Sequence, residues 1–256
     1  IYNNMLERAK NMNILVVNDD GVHAIGIEKL ALKLRKYGEV VVCGPDTGRS
    51  ASGHSIMLHA PLSFKFLEKK NDINWYTTNG MPADCVRLSV ALLEKPFDIV
   101  FSGINNGLNI GTDIIYSGTV AAAREAQIEG IPSVAISTDF DSFEIVDQEL
   151  DKLLEFIFKN HLYHKSYVLN VNFPNSKFKS SLGYKACKQG IKSFMPKFGQ
   201  NENKEYIEIG STISYDNRED TDVYLSNKGY ITFVPLQVEQ TLIPMVDQLK
   251  KIEELD

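Results

Sequence analysis

The feature that most constrains this chain is a repeated alternation of short, continuous apolar runs with segments of helical spacing. Residues 13–17 (NILVV) form an apolar run that ends abruptly in polar residues, as expected of a strand covered on both faces. Ile27, Leu30, Leu34 and Tyr37 then fall on one helical face, and Gly38 stops the helix. The same rhythm places strands at 39–43, 98–101, 133–136 and 167–171. Helices fall at 82–93, with Pro82 near the start, and at 120–128 and 145–158. A β-α-β series of this kind predicts an α/β fold, a doubly wound, mainly parallel sheet with right-handed crossovers.

Two regions break the rhythm. Between Ser55 and Thr78 the pattern alternates, which predicts a β-hairpin excursion with strands near 56–58, 62–66 and 75–77. From about Lys177 onward the chain is irregular and strand-rich, with strands expected at 206–209 and 230–234 and an amphipathic stretch at 245–255. Such a tail lacks the helices that cover a sheet, so it is expected to pack on the core and on a second subunit. The resulting division is 1–12 as a frayed or appended extension, with Met12 as a natural start. The α/β core, which carries the strand-end loops, follows at 13–176, then a C-terminal oligomerisation segment at 177–256.

Composition narrows the function classes. Of 256 residues, 43% are hydrophobic and 23% charged, which describes an ordinary globular protein. A formal net charge of −6 argues against a generic nucleic-acid or anionic-membrane surface. A small phosphorylated substrate remains compatible, because a metal ion and a few oriented amides bind phosphate on an acidic protein. Cys43, Cys85 and Cys187 are widely spaced and form no CxxC or zinc pattern, which reads as reduced thiols of a cytoplasmic protein.

In open parallel sheets, ligands bind beyond the carboxyl ends of the strands. Here those positions are Asn18-Asp19-Asp20-Gly21, residues 46–55, residues 102–119 and the turn after Ile136. Asp19 and Asp20 repel each other unless a cation or proton offsets their charge, and hard divalent ions are natural partners for such oxygens. A plain Asp-Asp-Gly turn explains the pair equally well. The second loop, GPDTGRSASGHS, offers hydroxyls but also reads as a solvated connection, and its His54 fits a surface or hairpin position as well as a catalytic one. The third, SGINNGLNIGTDIIYSGT, far exceeds the roughly 2–6 residues usual for such a connection. Asn105, Asn106 and Asn109 supply neutral donors and acceptors. Ser117-Gly118-Thr119 opens a helix whose free amides suit an anion, or simply carry an N-cap.

The chain has no G-x-G-x-x-G, no G-x-x-x-x-G-K-[ST] and no G-x-S-x-G. A phosphoacceptor receiver would need an aspartate where Ser102 stands, and the D-x-D of haloacid-dehalogenase phosphatases is absent because the acids are adjacent. Several segments together resemble the SurE family of stationary-phase survival proteins, which are metal-dependent 5′(3′)-nucleotidases. They are ILVVNDDGVHAIGIEKLALKL, VVVCGPDTGRSASGHSI, TTNGMPADCVRL, DIVFSGINNGLNIGTDIIYSGTVAAAREA and LNVNFP, joined by a similar C-terminal GYITFVPLQVEQT.

The resemblance implies a Rossmann-like core and one divalent cation per subunit, Mg²⁺ or Mn²⁺. Asp19, Asp20, Ser50 and Asn105 become the ligands, with Asp19 and Asp20 also in catalytic roles. It associates Asn109, Ser117, Gly118 and Thr119 with phosphate. Thr47-Gly48 depart from bulkier polar residues found in some relatives. The implied substrate is a nucleoside monophosphate rather than a nucleic-acid polymer or a membrane. The implied assembly is a homodimer or homotetramer with exchanged C-terminal elements. Attack by water and direct attack by Asp19 are both open, and a phosphate-sensing binding module without turnover is the non-enzymatic alternative.

Overall fold

The computed structural model describes residues 11–215 and 217–253. The expected extension at 1–12 therefore falls almost entirely outside the described residues. Among the described residues nine strands form one sheet, in the order β3 (Lys65–Lys70), β4 (Ile73–Thr78), β2 (Gly38–Pro45), β1 (Met12–Val17), β5 (Ile99–Asn106), β6 (Ser133–Thr138), β7 (Val168–Asn172), β11 (Ile231–Leu236) and β8 (Tyr184–Ala186). The central strands are β1 (Met12–Val17), β2 (Gly38–Pro45), β5 (Ile99–Asn106), β6 (Ser133–Thr138) and β7 (Val168–Asn172), and they run parallel. Helices α1 (Ile25–Leu34), α2 (Pro82–Leu92), α4 (Gly118–Ile128) and α5 (Phe143–Lys159) make the crossovers, and α3 (Asp113–Tyr116) is a single short turn before α4.

The sheet is covered on both faces, as the continuous apolar runs require. In β1, Ile14 and Val16 enter one cluster with Ile27, Leu30 and Leu34 of α1 and Leu150, Leu153 and Leu154 of α5. Leu15 and Val17 enter another with Cys85 and Val86 of α2 and Ala122 and Ala126 of α4. Period-2 side-chain direction thus sends alternate residues of one run into two cores.

Strands β2, β4 and β3 lie on one side of β1, and β5, β6 and β7 on the other. The direction of winding reverses between β1 and β5, and the crevice at their carboxyl ends is where such folds bind ligands. β5 runs beyond the expected 98–101. Its register slips between Ser102 and Asn105, a bulge that carries the strand through Asn106. Gly103 permits it: φ is +134° and a Cβ would lie 2.2 Å from the Ile136 carbonyl.

The excursion is a hairpin, β3 (Lys65–Lys70) and β4 (Ile73–Thr78), with β4 parallel to β2. No strand forms at 56–58, and the first hairpin strand lies later than 62–66. The tail divides in two. β11 (Ile231–Leu236) pairs antiparallel to β7 and carries β8 (Tyr184–Ala186) at its edge, so this part belongs to the main sheet. β9 (Lys192–Gln200) and β10 (Tyr206–Tyr215) form a separate two-stranded sheet, far longer than the strand expected at 206–209. Two further helices are α6 (Asp222–Asn227) and α7 (Ile243–Glu253), the latter covering most of the amphipathic stretch. Among the described residues no helix is long and apolar enough to cross a membrane.

Candidate active site

The turn after β1 is closed by Asn18, whose Nδ2 donates to the Gly21 carbonyl at 2.7 Å. This places Asp19 and Asp20 at the switch point. Asp19 is only 4% exposed. Its Oδ1 accepts the Thr119 hydroxyl from the first turn of α4. Asp20 Oδ2 accepts the Asn106 backbone amide at 3.0 Å, so the β5 bulge itself fixes the second carboxylate. Burial pushes the Asp19 carboxyl up to about 6; the Thr119 hydroxyl opposes this and Asp20 adds to it. Burial also raises Asp20 above the usual carboxylate range, against the Asn106 amide.

Both acids open into a cleft of about 430 Å³, also lined by Ser50, Asn105, Asn109 and Ser117. Ser50 is exposed on a loop that docks through the Arg49 amide, which donates to the Asp19 carbonyl at 2.7 Å. Asn105 Nδ2 donates to the Gly107 carbonyl at 2.6 Å, which leaves Oδ1 as the end available to a cation. Among the described residues no group of three or more His, Cys, Asp or Glu side chains could hold a metal ion. A set of two carboxylates, an amide oxygen and a hydroxyl suits a hard, oxygen-seeking ion such as Mg²⁺ or Mn²⁺. A buried acid displaced toward pH 6 is the electrostatic complement of that ion, since a nearby cation relieves the displacement.

Of the residues associated with phosphate, Asn109 and Ser117 face the cleft, while Gly118 and Thr119 lie behind Asp19. Ser117 caps α4, its Oγ accepting the Val120 amide at 3.1 Å. A Cβ on Gly118 would stand 2.8 Å from Asp19 Cβ and 2.7 Å from Ser52 Oγ. The glycine therefore lets the helix terminus close onto the acid. His54 lies outside the cleft and pairs with Glu125 of α4 at 2.8 Å.

Several residues that shape the site carry no sequence signal of their own. Asn109 is held by Asn170 and Asn172, whose Nδ2 atoms donate to its carbonyl at 2.9 and 3.0 Å. Asn172 Oδ1 accepts its amide at 2.8 Å, and Ser137 Oγ accepts its Nδ2 at 2.8 Å. Two asparagines two apart on a fully buried strand are the available clue, because buried amides must find partners. Asp139, Phe140 and Lys192 also line the cleft. Lys192 and the neighbouring Phe194 and Tyr215 come from the β9–β10 hairpin, so the wall draws on residues beyond 176. A larger cavity of about 740 Å³, bordered by Arg124, Cys187 and Leu236, contains none of the candidate metal or phosphate residues.

Comparison with known proteins places the chain in a family. The family model described as Survival protein SurE matches residues 14–196. A protein of Thermoanaerobacter sp. (strain X514) named 5'-nucleotidase SurE is 42% identical over 247 residues, covering 93% of this chain and 97% of the relative. One of the same name from Clostridium botulinum (strain ATCC 19397 / Type A) is 38% identical over 250 residues, covering 94% and 99%. The crystal structure of the SurE protein from Aquifex aeolicus superposes with a TM-score of 0.78 at 33% identity, covering 94% of this chain and 99% of that one. With the family model spanning most of its length and relatives matched nearly end to end, the chain belongs to the SurE family.

Proposed function

We propose that this chain is a metal-dependent phosphomonoesterase that hydrolyses nucleoside 5′-monophosphates, and 3′-monophosphates as well, to nucleoside and phosphate. The observation that carries the reading is the meeting of Asp19, Asp20 and Asn105 at the switch point, in a cleft large enough for a small phosphorylated ligand. The names of the full-length relatives point the same way.

In this reading Asp19, Asp20, Asn105 and Ser50 hold one Mg²⁺ or Mn²⁺ per chain. The bound ion supplies neutralisation of phosphoryl charge and a more acidic water. Asn109 and Ser117 face the phosphoryl group, while Gly118 and Thr119 act through Asp19 by fixing its carboxylate. Asp20, less buried and held through Oδ2, orients the attacking water. Water attack is favoured over an aspartyl-phosphate because Asp19 Oδ1 is engaged by Thr119 and, in this reading, its other oxygen is committed to the cation. Acid-quenched enzyme carrying phosphate on Asp19 would overturn that choice.

The assembly we propose is a homodimer or homotetramer that exchanges C-terminal elements from 177–256. The hairpin favours it, since Met195, Phe198 and Ile209 are about 60% exposed among the described residues. A monomer by sedimentation at micromolar concentration would refute it. The function is tested by assaying phosphate release from 5′- and 3′-nucleotides with Mn²⁺, Mg²⁺ or chelator. Binding of nucleotide without turnover in any of these would instead establish a sensing module.

A further inference from the structure

We propose that Lys192 is a substrate-binding residue whose ammonium takes a phosphoryl oxygen in the candidate cleft. The inference rests on the phosphomonoesterase reading and extends it to a residue outside the aspartate and asparagine loops.

Charge makes the case. Four aspartates line the cleft, Asp19, Asp20, Asp113 and Asp139, and among the described residues Lys192 is the only cationic side chain there. Four carboxylates and one ammonium leave a formal −3, which one divalent cation reduces to −1. A phosphomonoester arrives with up to two further negative charges. Without a protein cation the ion alone would have to hold the phosphate against a net acidic wall, and at short range such repulsion is costly. Lysine is a point charge suited to this task, as in other phosphate sites.

Position supports the assignment. Lys192 is the first residue of β9, and the root of the hairpin is fastened to the third loop. The Asp222 carboxylate, fully buried, accepts the Gly111 amide at 3.0 Å and the Gly190 amide at 2.7 Å. Gln189 Nε2 donates to the Gly111 carbonyl at 2.8 Å, and the Lys192 amide donates to Thr112 Oγ1 at 3.0 Å. These contacts set the Lys192 stem against the loop that carries Asn105 and Asn109. Its ammonium rests on Asp113 Oδ2 at 2.6 Å, with both side chains about one-fifth exposed. Four single bonds in the side chain let the ammonium turn from Asp113 toward a phosphoryl oxygen without moving the backbone. Asp113 thus stores the cation at the rim until an anion enters.

The bland explanation is a structural ion pair that clasps the hairpin to α3, and variants separate the two. Lys192→Gln, Lys192→Arg and Asp113→Asn are compared by KM for AMP and by calorimetric binding of inorganic phosphate to Mn²⁺-loaded protein. Mn²⁺ binding to the metal-free variants is measured as well. A lost charge-assisted hydrogen bond predicts that Lys192→Gln weakens phosphate binding by about 10- to 100-fold. Its Mn²⁺ affinity should be undiminished, and Lys192→Arg should recover most of the loss. Asp113→Asn should keep phosphate affinity, since the ammonium remains. Equal losses in Lys192→Gln and Asp113→Asn would show a structural clasp and overturn the inference, as would unchanged phosphate binding in Lys192→Gln. Phosphate binding that depends on Lys192 in a protein without AMP turnover would sink the nucleotidase reading and leave this inference standing.

Discussion

Replacing Asp19 by Asn should make the metal-free protein more stable at neutral pH while abolishing its activity. Burial displaces the Asp19 carboxyl from 3.8 to about 6. The native state therefore keeps this proton up to about pH 6, whereas the unfolded chain releases it near 3.8. Between those values the unfolded chain binds fewer protons, so stability falls as pH rises through the window and the loss is complete above it. At about 1.4 kcal/mol per pH unit, the difference is worth about 3 kcal/mol. Asp19 is 4% exposed, so solvent screening removes little of this. Asn is nearly isosteric and can still accept the Thr119 hydroxyl through Oδ1, so the substitution removes the buried charge without opening a cavity. Urea denaturation in chelator from pH 4 to 7.5, followed by circular dichroism, reads the difference between wild type and variant. That difference should grow by about 3 kcal/mol in favour of the variant. Parallel profiles would refute the assignment of an unpaired buried charge to Asp19. Adding Mn²⁺ should reverse the order at pH 7.5, because only the wild type gains binding energy.

Gly118→Ala forces a methyl group against Asp19 and Ser52 and should cost about 1–3 kcal/mol of stability, read as a lowered denaturation midpoint. Its turnover should fall well beyond what the remaining folded fraction explains. Asn172→Leu leaves the Asn109 backbone amide without its acceptor and should destabilise by about 1–3 kcal/mol while raising KM for AMP. Leu153→Ala, in the cluster between α5 and the sheet, should cost about 2–5 kcal/mol with KM unchanged, which serves as a control for purely structural damage.

The sequence exposed the elements buried along a whole run or along one helical face. Strands β1, β2, β5, β6 and β7 announce themselves as apolar runs, and α1 and α5 by spacing, because burial fixes their composition. β3 was misplaced for the opposite reason. Its residues KFLEKK are all exposed on an edge strand, so no apolar alternation marks it. The strand expected at 56–58 fails because Met57 spends its amide on the Asp84 carboxylate rather than on a neighbouring strand. The end of β5 looked like loop because its glycine and asparagines belong to a bulge, where ordinary strand preferences do not apply.

Within the site, the Asp19–Asp20 pair and the asparagine-rich third loop stood out because strand ends in parallel sheets collect ligands, whereas only the resemblance selected Asn105 over Asn106. Ser50 reached the same cleft only by resemblance, since its loop carries no pattern. Asn170 and Asn172 meet Asn109 across 61 and 63 residues, and no local pattern encodes a partnership at that range. Lys192 was hidden in a segment read as an oligomerisation tail, and only the docking of the hairpin root brings it to the cleft.

The proposed nucleotidase depends on a cation held at the Asp19–Asp20 rim. The most direct test of that dependence is phosphate release from AMP by metal-stripped protein titrated with Mn²⁺. Turnover should be absent in chelator and should rise to a plateau at one equivalent of Mn²⁺ per chain. Turnover that persists unchanged in chelator, or none at saturating Mn²⁺, would contradict it.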